Sequence, residues 1–351
     1  MKLFSEKKYR VVFIISVVLA VFIIGGAVAA IKLRSKDSGG TKTTKIGQSA
    51  KKIVSPLDGM AYTSDVANRH PLAVSVENHP DARPQSGLSR ASVVYEAITE
   101  GGITRYLAVF GPQDASEIGP IRSARLYFMD YVKEFDAFFA HAGGNEDALA
   151  KISDYAIKDI PHSNSFYYRD DKGRNVASEH TLYANTEKLY KYATAQGFDI
   201  NTSSYEKMKF KTDGPAVNPG KGVQINFSSD SYAVRWQYDP VANIYSRFLA
   251  GKEDTDRNNG EQVKAKNIII QTVDRTFQPT GSYGSQNYVF QNLGSGKAWV
   301  VRDGQVIDAT WKRATLTSRT KYFDANQIEI EMNPGNSWYE IVPPEVSPSF
   351  F

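Results

Sequence analysis

The chain contains no cysteine, and this absence removes more chemistry than any single residue supplies. Disulfides, thiolate nucleophiles, zinc fingers and a lipid-modified cysteine at a cleaved amino terminus are all excluded. A basic surplus is missing as well. Residues 1–50 hold nine Lys or Arg against two acidic residues, so the formal net charge of +4 comes from the amino terminus; the rest of the chain carries 33 basic and 36 acidic side chains. A slightly acidic folded region offers no footprint for nucleic acid. Several catalytic signatures are also absent. There is no His-Glu-x-x-His, no Gly-x-Ser-x-Gly elbow around Ser123, and no P-loop lysine beside Gly143 and Gly144. The segment Asp254 to Gly260 lacks the ligand spacing of an EF-hand and reads as an exposed loop.

What is present is a globular composition. With 351 residues, 41% hydrophobic and 12% aromatic, the chain can bury a sizeable core and has the length of two ordinary domains. Val11 to Ile31 is an uncharged run of 21 residues, about 31 Å as a helix, which matches the hydrocarbon thickness of a bilayer. This predicts a membrane anchor. A cleaved signal peptide is the alternative, with Ala27 to Ala30 as its small-residue site, but a signal core is shorter, roughly 7–15 residues. Lys2, Lys7, Lys8 and Arg10 precede the run and Lys32, Arg34 and Lys36 follow it, so charge fixes orientation only weakly. A large carboxy-terminal region after one anchor fits an extracytoplasmic domain. The expected organisation is a cytoplasmic tail (1–10), an anchor (11–31), a Lys/Ser/Gly/Thr-rich tether (32–54), an α/β lobe with a polar cleft (55–204) and a β-rich lobe (205–351).

The fold class expected is therefore α/β: a layered amino-terminal α/β lobe, then a β-rich lobe, preceded by a single transmembrane helix. Leu72 to Val76, Ile103 to Phe110 and Ala137 to Ala140 read as strands. Leu88 to Ile98, Ser123 to Phe135, a segment capped by Asn145, and Thr186 to Gln196 read as helices, the last with Thr186 and Gly197 as caps. Alternating strands and helices imply a partly parallel sheet. Beyond Tyr205 the pattern turns to short alternating runs, among them Val223 to Phe227, Gln327 to Glu331 and Trp338 to Val342. Asp303-Gly304 is a type I′ hairpin signal. All four Trp fall in this second part and all five His in the first, with the tryptophans expected mainly in the core.

The unusual polar residues concentrate between Pro71 and Gly144. In open α/β sheets ligands bind beyond the carboxyl ends of the strands. Glu77 and His79 follow the first strand and His141 follows the third; Glu179 and His180 precede a helix that can reach the same place. The candidate catalytic residues are Glu77, His79, Glu100, His141 and His180. The candidate ligand-binding residues are Arg83, Arg105, Arg122, Ser123, Arg125, Gly143, Gly144 and Glu179. Against a shared site stands the plainer reading, in which each His is satisfied separately. Arg122 and Arg125 are expected in the first turn of a helix, where the macrodipole disfavours cations. Such placement suits anion capture or, equally, ion pairs with Glu96 or Glu100. Ser123 as a nucleophile and Ser123 as an N-cap are both open. A zinc set of His79, His141 and His180 with a carboxylate is conceivable without motif support, and no metal or other cofactor is assigned.

The ordered series Glu77-Asn78-His79, Arg83-Pro84-Gln85-Ser86-Gly87, Glu100-Gly101-Gly102-Ile103-Thr104-Arg105, Ile118-Gly119-Pro120-Ile121-Arg122-Ser123-Ala124-Arg125, His141-Ala142-Gly143-Gly144 and Glu179-His180 resembles the YerB-like bacterial family, domain of unknown function 3048. The stretch Pro334 to Tyr339 resembles that family's second, β-rich region. The resemblance implies a bacterial cell-surface protein, in many members held by a lipidated cysteine, with no activity to carry over. This chain departs by lacking cysteine, which puts an apolar helix in the lipid's role. The function expected is a membrane-anchored, extracytoplasmic envelope protein binding an anionic ligand, a peptidoglycan or glycopolymer fragment. The alternative is a metal-dependent or His/Glu-based hydrolase of envelope glycans or phosphodiesters. No nucleic-acid partner is expected.

Overall fold

Every residue of Leu72–Glu77 is buried, and a strand without a solvent face has to lie between two packed layers. The computed structural model describes residues 51–351 apart from 164, 202 and 281–284, and its elements are arranged around that strand, β1. In chain order the elements that build the two main sheets and the helices packed on them are β1, β2 (Val93–Ile98), β3 (Thr104–Phe110), α1 (Leu126–Glu134), β4 (Phe138–His141), α2 (Glu146–Asp154), β5 (Lys158–Pro161) and α3 (Thr186–Ala195). Then follow β6 (Val223–Asn226), β7 (Ala233–Asp239), β8 (Ile244–Leu249), β9 (Asn267–Thr272), β10 (Gly294–Arg302), β11 (Gln305–Arg313), β12 (Lys321–Phe323), β13 (Ser337–Val342) and β14 (Ser349–Phe350).

Ten strands form one mixed sheet in the order β12-β11-β10-β9-β13-β2-β3-β1-β4-β5. Two parallel blocks, β1-β4-β5 and β9-β13-β2, are joined through antiparallel β3. The expected boundary near Tyr205 falls between α3 and β6, yet β9 to β13 complete the same sheet as β1 to β5. Because side chains alternate along a strand, β1 feeds two cores. Leu72, Val74 and Val76 pack toward Val223, Val234 and Trp236 of a second sheet and toward Leu189 of α3. Ala73, with Tyr95 and Leu107, packs toward Phe128, Tyr131 and Val132 of α1 and Ala148 of α2. The result is a three-layer α/β architecture, rich in strand. The second sheet, built on β6, β7, β8 and β14, keeps its outer face in solvent: β7 is buried only at alternate positions.

A buried ionic cluster joins the two sheets. Arg247 of β8 is fully buried and bonds Glu96 of β2 at 2.5 Å and also Asp254. Glu340 of β13 lies opposite Glu96 in register and accepts from Trp236 Nε1 at 2.7 Å. Burial, and then the Glu96 charge, push the Glu340 carboxyl well above its usual range, which favours its protonated form.

Several expected elements differ. Residues 88–98 are not a helix: Leu88–Arg90 is a single 3-10 turn and Val93–Ile98 is β2, buried at all six positions. A strand covered on both faces has no alternation to display, and its continuous apolar run imitated a helical stripe. The helix expected from Ser123 begins at Leu126, with Arg125 as N-cap residue and no side-chain cap, so Ser123 is not the cap. Asn185 rather than Thr186 caps α3, accepting from Lys188 N at 2.8 Å. Gln327 to Glu331 forms no strand, Gln327 having φ +62° and Glu329 only an isolated bridge. Asp254 and Asp256 are buried rather than exposed: Asp256 accepts from Gly87 N, Ser89 N and Ser89 Oγ at 2.7–3.0 Å. The run Val11 to Ile31 lies outside the described residues, among which no helix is long and apolar enough to cross a membrane. Trp236, Trp311 and Trp338 are core residues as expected.

The I′ turn between β10 and β11 has φ +54° at Asp303 and +73° at Gly304. A Cβ at Gly304 would stand 2.5 Å from a Tyr238 ring carbon and 2.9 Å from Gly220 Cα. Gly251 has a similar φ of +75° but open space around it. Gly251→Ala is therefore expected to cost about 1 kcal/mol, the conformational strain alone, and Gly304→Ala about 2 kcal/mol or more, strain plus overlap. Urea denaturation midpoints compare the two; equal losses would contradict the steric argument.

Candidate functional site

The site is assembled by a segment that returns across the end of β1. Ile121 bridges Val76, Glu77 N donates to Pro120 O at 2.9 Å, and Arg122 N donates to Ser75 O at 2.9 Å. On its other side, Ile121 N donates to Leu182 O at 2.7 Å and Ile118 bridges Ala184. Gly119 permits this crossing, since a Cβ there would lie 2.7 Å from Leu182 O. Backbone pairing thus carries Arg122 and the Ser178–His180 turn to the carboxyl end of β1, where Glu77 stands opposite Arg105 of β3.

Glu77 is clamped at both oxygens. Oε1 accepts from Arg122 Nε at 2.9 Å, and Oε2 pairs with His180 Nδ1 at 2.8 Å. His79 stacks on His180, with ring centroids 4.8 Å apart and planes 13° from parallel. Asp81 N donates to His79 Nδ1 at 3.2 Å, capping the 3-10 turn Pro80–Ala82. The Glu77 and His180 side chains are 4% and 8% exposed, whereas Arg122 and His79 are 27% and 34% exposed. The group is a buried acid and imidazole behind a cationic, aromatic rim. Glu179 stands in solvent beside it. Its own backbone N–H, and then the Arg122 charge, hold its carboxyl below the usual range.

A second cluster adjoins the first. Arg125 pairs with both oxygens of Glu100, at 2.6 and 3.0 Å. Arg105 Nη1 and Ser75 Oγ both donate to Ser123 O, at 3.2 and 3.0 Å. Burial, and after it the neighbouring Arg125 charge, lower the Arg105 guanidinium to about 10. Burial alone would raise the Glu100 carboxyl, but Arg125 outweighs it and holds the group below its ordinary value. Arg105 Nε and Tyr127 Oη are buried without a hydrogen-bond partner among the described residues.

Glu77, His79, Arg122, Glu179 and His180 therefore come together, with Arg105, Ser123, Arg125 and Glu100 beside them. The expected pairing of Arg125 with Glu100 is present, while Glu96 belongs to the Arg247 cluster. Arg122 lies ahead of α1 rather than in its first turn, so the macrodipole argument reaches only Arg125. β1 and β4 are parallel neighbours as expected, but His141 has other partners. Its Nε2 pairs with Asp159 at 2.9 Å and its Nδ1 with Gly143 O at 2.7 Å. The Arg122 to Ala124 segment runs between the ends of β1 and β4, Arg122 O accepting from Ala142 N and Ala124 N donating to Gly143 O. The metal-type cluster among the described residues is accordingly His79, Asp81 and His180, without His141. Gly143 adopts φ +66° ahead of the Asn145 cap of α2. Arg83 is a strut: it donates to Asn78 and to Ser231 O at 2.8–3.0 Å and lies over the Tyr232 ring.

Sequence reasoning missed Asp81, Asp159 and Arg174. Arg174 donates to Asp81 O at 2.5 Å and to His180 O at 3.0 Å, tying the two turns together. A signal existed for Asp81, since His79-Pro80-Asp81 is a capped-turn pattern that sets an acid two residues from an imidazole. None existed for Asp159, which meets His141 only because β4 and β5 are neighbours.

Comparison with known proteins follows the same division of the chain. Residues 57–199 match the family model described as "Protein of unknown function (DUF3048) N-terminal domain", and residues 223–339 match the model for its C-terminal domain. The chain is 31% identical over 304 residues to "Putative lipoprotein YerB" of Bacillus subtilis (strain 168), covering 85% of this chain and 88% of that protein. It also resembles the crystal structure of the Bacillus subtilis YerB protein, with a TM-score of 0.75 and 30% identity, over 85% of this chain and all of the solved one. Two successive family regions, spanning the strands and turns that build the site, show that the chain belongs to the DUF3048 family of YerB-like proteins.

Proposed function

We propose that this is an extracytoplasmic envelope protein, anchored by the apolar run Val11 to Ile31, that binds an anionic wall ligand on the Arg122/Arg125 rim. A relative named as a lipoprotein supports the location. Here, without cysteine, the apolar run takes the role of the lipid. The observation that carries the binding reading is a gathering of guanidinium groups: Arg105, Arg122 and Arg125 meet around Ser123, with Glu77 paired to Arg122 and Glu100 to Arg125. Glu179 stands in solvent beside Arg122, and the orphaned Arg105 Nε and Tyr127 Oη are further donors. A phosphate or carboxylate completes such a set by charge-assisted bonds.

The test is co-sedimentation of the detergent-solubilised full-length protein with purified cell walls, with and without their phosphate-bearing polymers. Arg122→Ala or Arg125→Ala is expected to weaken retention by about tenfold or more, since each removes a charge-assisted bond and also bares a carboxylate that repels the ligand. Retention is expected to fall as salt rises. Wild-type retention by both variants would end this reading. A second reading, hydrolysis, rests on the Glu77–His180 pair, in which a buried carboxylate orients an imidazole and leaves Nε2 available as a base. Release of soluble wall fragments, lost in His180→Ala, separates turnover from retention.

A further inference from the structure

The geometry points to a site for a divalent transition-metal ion formed by His79, Asp81 and His180, with Glu77 as the outer carboxylate that orients His180. These three residues present ligand atoms that all lie within 4.8 Å of one another. Two imidazoles and one carboxylate suit zinc or iron(II) and suit calcium and magnesium poorly, because the hard cations prefer an all-oxygen shell. The pairing of His180 Nδ1 with Glu77 at 2.8 Å is the arrangement found behind metal-bound histidines. It fixes the ring and its tautomer and leaves Nε2 as the coordinating atom. Arg122 holds the other oxygen of Glu77 at 2.9 Å, so the orienting group is itself oriented. Arg174 ties the backbone of Asp81 to that of His180, which keeps the two turns in reach of each other.

Tetrahedral ligands at bonds of about 2.0–2.1 Å stand roughly 3.4 Å apart, closer than the widest separation here. The adjustment falls on the side chains able to make it. His79 and Asp81 are 34% and 57% exposed, while His180 is 8% exposed. Because those two ligands face solvent, a bound ion keeps an open coordination position toward solvent. That is the plan of a centre that binds or activates something, and not of a closed structural one. This inference goes beyond the anionic rim: the ion is held by residues on which that reading does not depend.

The experiment uses the full-length protein stripped with chelator. Zn²⁺ is titrated calorimetrically, and Co²⁺ by its visible absorption, which reports coordination geometry. One equivalent of either ion is expected to bind. His79→Ala and Asp81→Asn are each expected to weaken binding at least about tenfold, and Glu77→Gln by about 10–100-fold through loss of the outer shell. His162→Ala, a change at an exposed histidine away from the cluster, is expected to leave it unchanged. His79 and Asp81 are exposed enough that their variants keep the fold, so the test does not depend on His180→Ala. Wild-type affinity in His79→Ala and Asp81→Asn would overturn the site, as would less than half an equivalent bound or an equal loss in His162→Ala.

Discussion

Arg247→Ala is expected to cost about 3–5 kcal/mol in urea denaturation, enough to leave a large fraction of the chain unfolded at physiological temperature. The reason is what stays behind. Arg247 is fully buried between Glu96 and Asp254, and both carboxylates would remain inside without a counter-ion, in a layer that also contains Trp236 and Trp338. The guanidinium lies 4.7 Å from the Trp338 ring, so its loss also opens a cavity. Glu340→Gln at the same junction should be close to neutral below pH 4.5, where the carboxyl is protonated in the folded and the unfolded chain alike, and stabilising as pH rises above it. The sign of the pH dependence follows. The folded state holds a proton that the unfolded chain releases above the ordinary glutamate value of 4.5. Its contribution is fully present below that pH and is lost as pH rises toward the raised folded value. Glu340→Gln should therefore flatten the decline of stability above pH 4.5, and an unchanged pH slope would count against a protonated Glu340.

Glu77→Ala is expected to be the most damaging change within the site, costing about 2–3 kcal/mol of stability. It removes the acceptor for both Arg122 Nε and His180 Nδ1, and His180 is too deeply placed for water to replace that acceptor fully. A double-mutant cycle identifies the cause. Glu77→Ala combined with His180→Ala should cost less than the two single changes added together, by about 1–2 kcal/mol. Strict additivity would mean that the pair does not interact. The same variant should also weaken any anion held on the Arg122 rim, because the freed arginine loses its fixed position.

How far the sequence disclosed this arrangement depended on whether the signal was local. Asn145 was readable as a cap and its side chain accepts from Ala148 N; Asp303-Gly304 was readable as a turn and joins β10 to β11. Both require only neighbours in the chain. β2 was misread because its environment is tertiary: a run such as Val93-Val94-Tyr95 is apolar throughout only when layers cover both faces. The meeting of Glu77 with His180 was legible as a tendency of strand ends and not as a contact. It depends on residues 118–121 pairing with β1 on one side and with Leu182 to Ala184 on the other. His141 shows the opposite case. It stands at the carboxyl end of the parallel neighbour of β1, close to where it was expected, yet its partner is Asp159, supplied by a strand whose register no local pattern announces.

The position of β13 has a consequence for biogenesis. This strand, Ser337–Val342, lies between β9 and β2 and is parallel to both, so the two halves of the central sheet are joined by a strand made after the other nine. Until it arrives, a nascent chain presents unsatisfied backbone on β9 and on β2, edges open to intermolecular pairing. Any cellular factor that shields this protein during its synthesis has to remain bound until β13 has emerged.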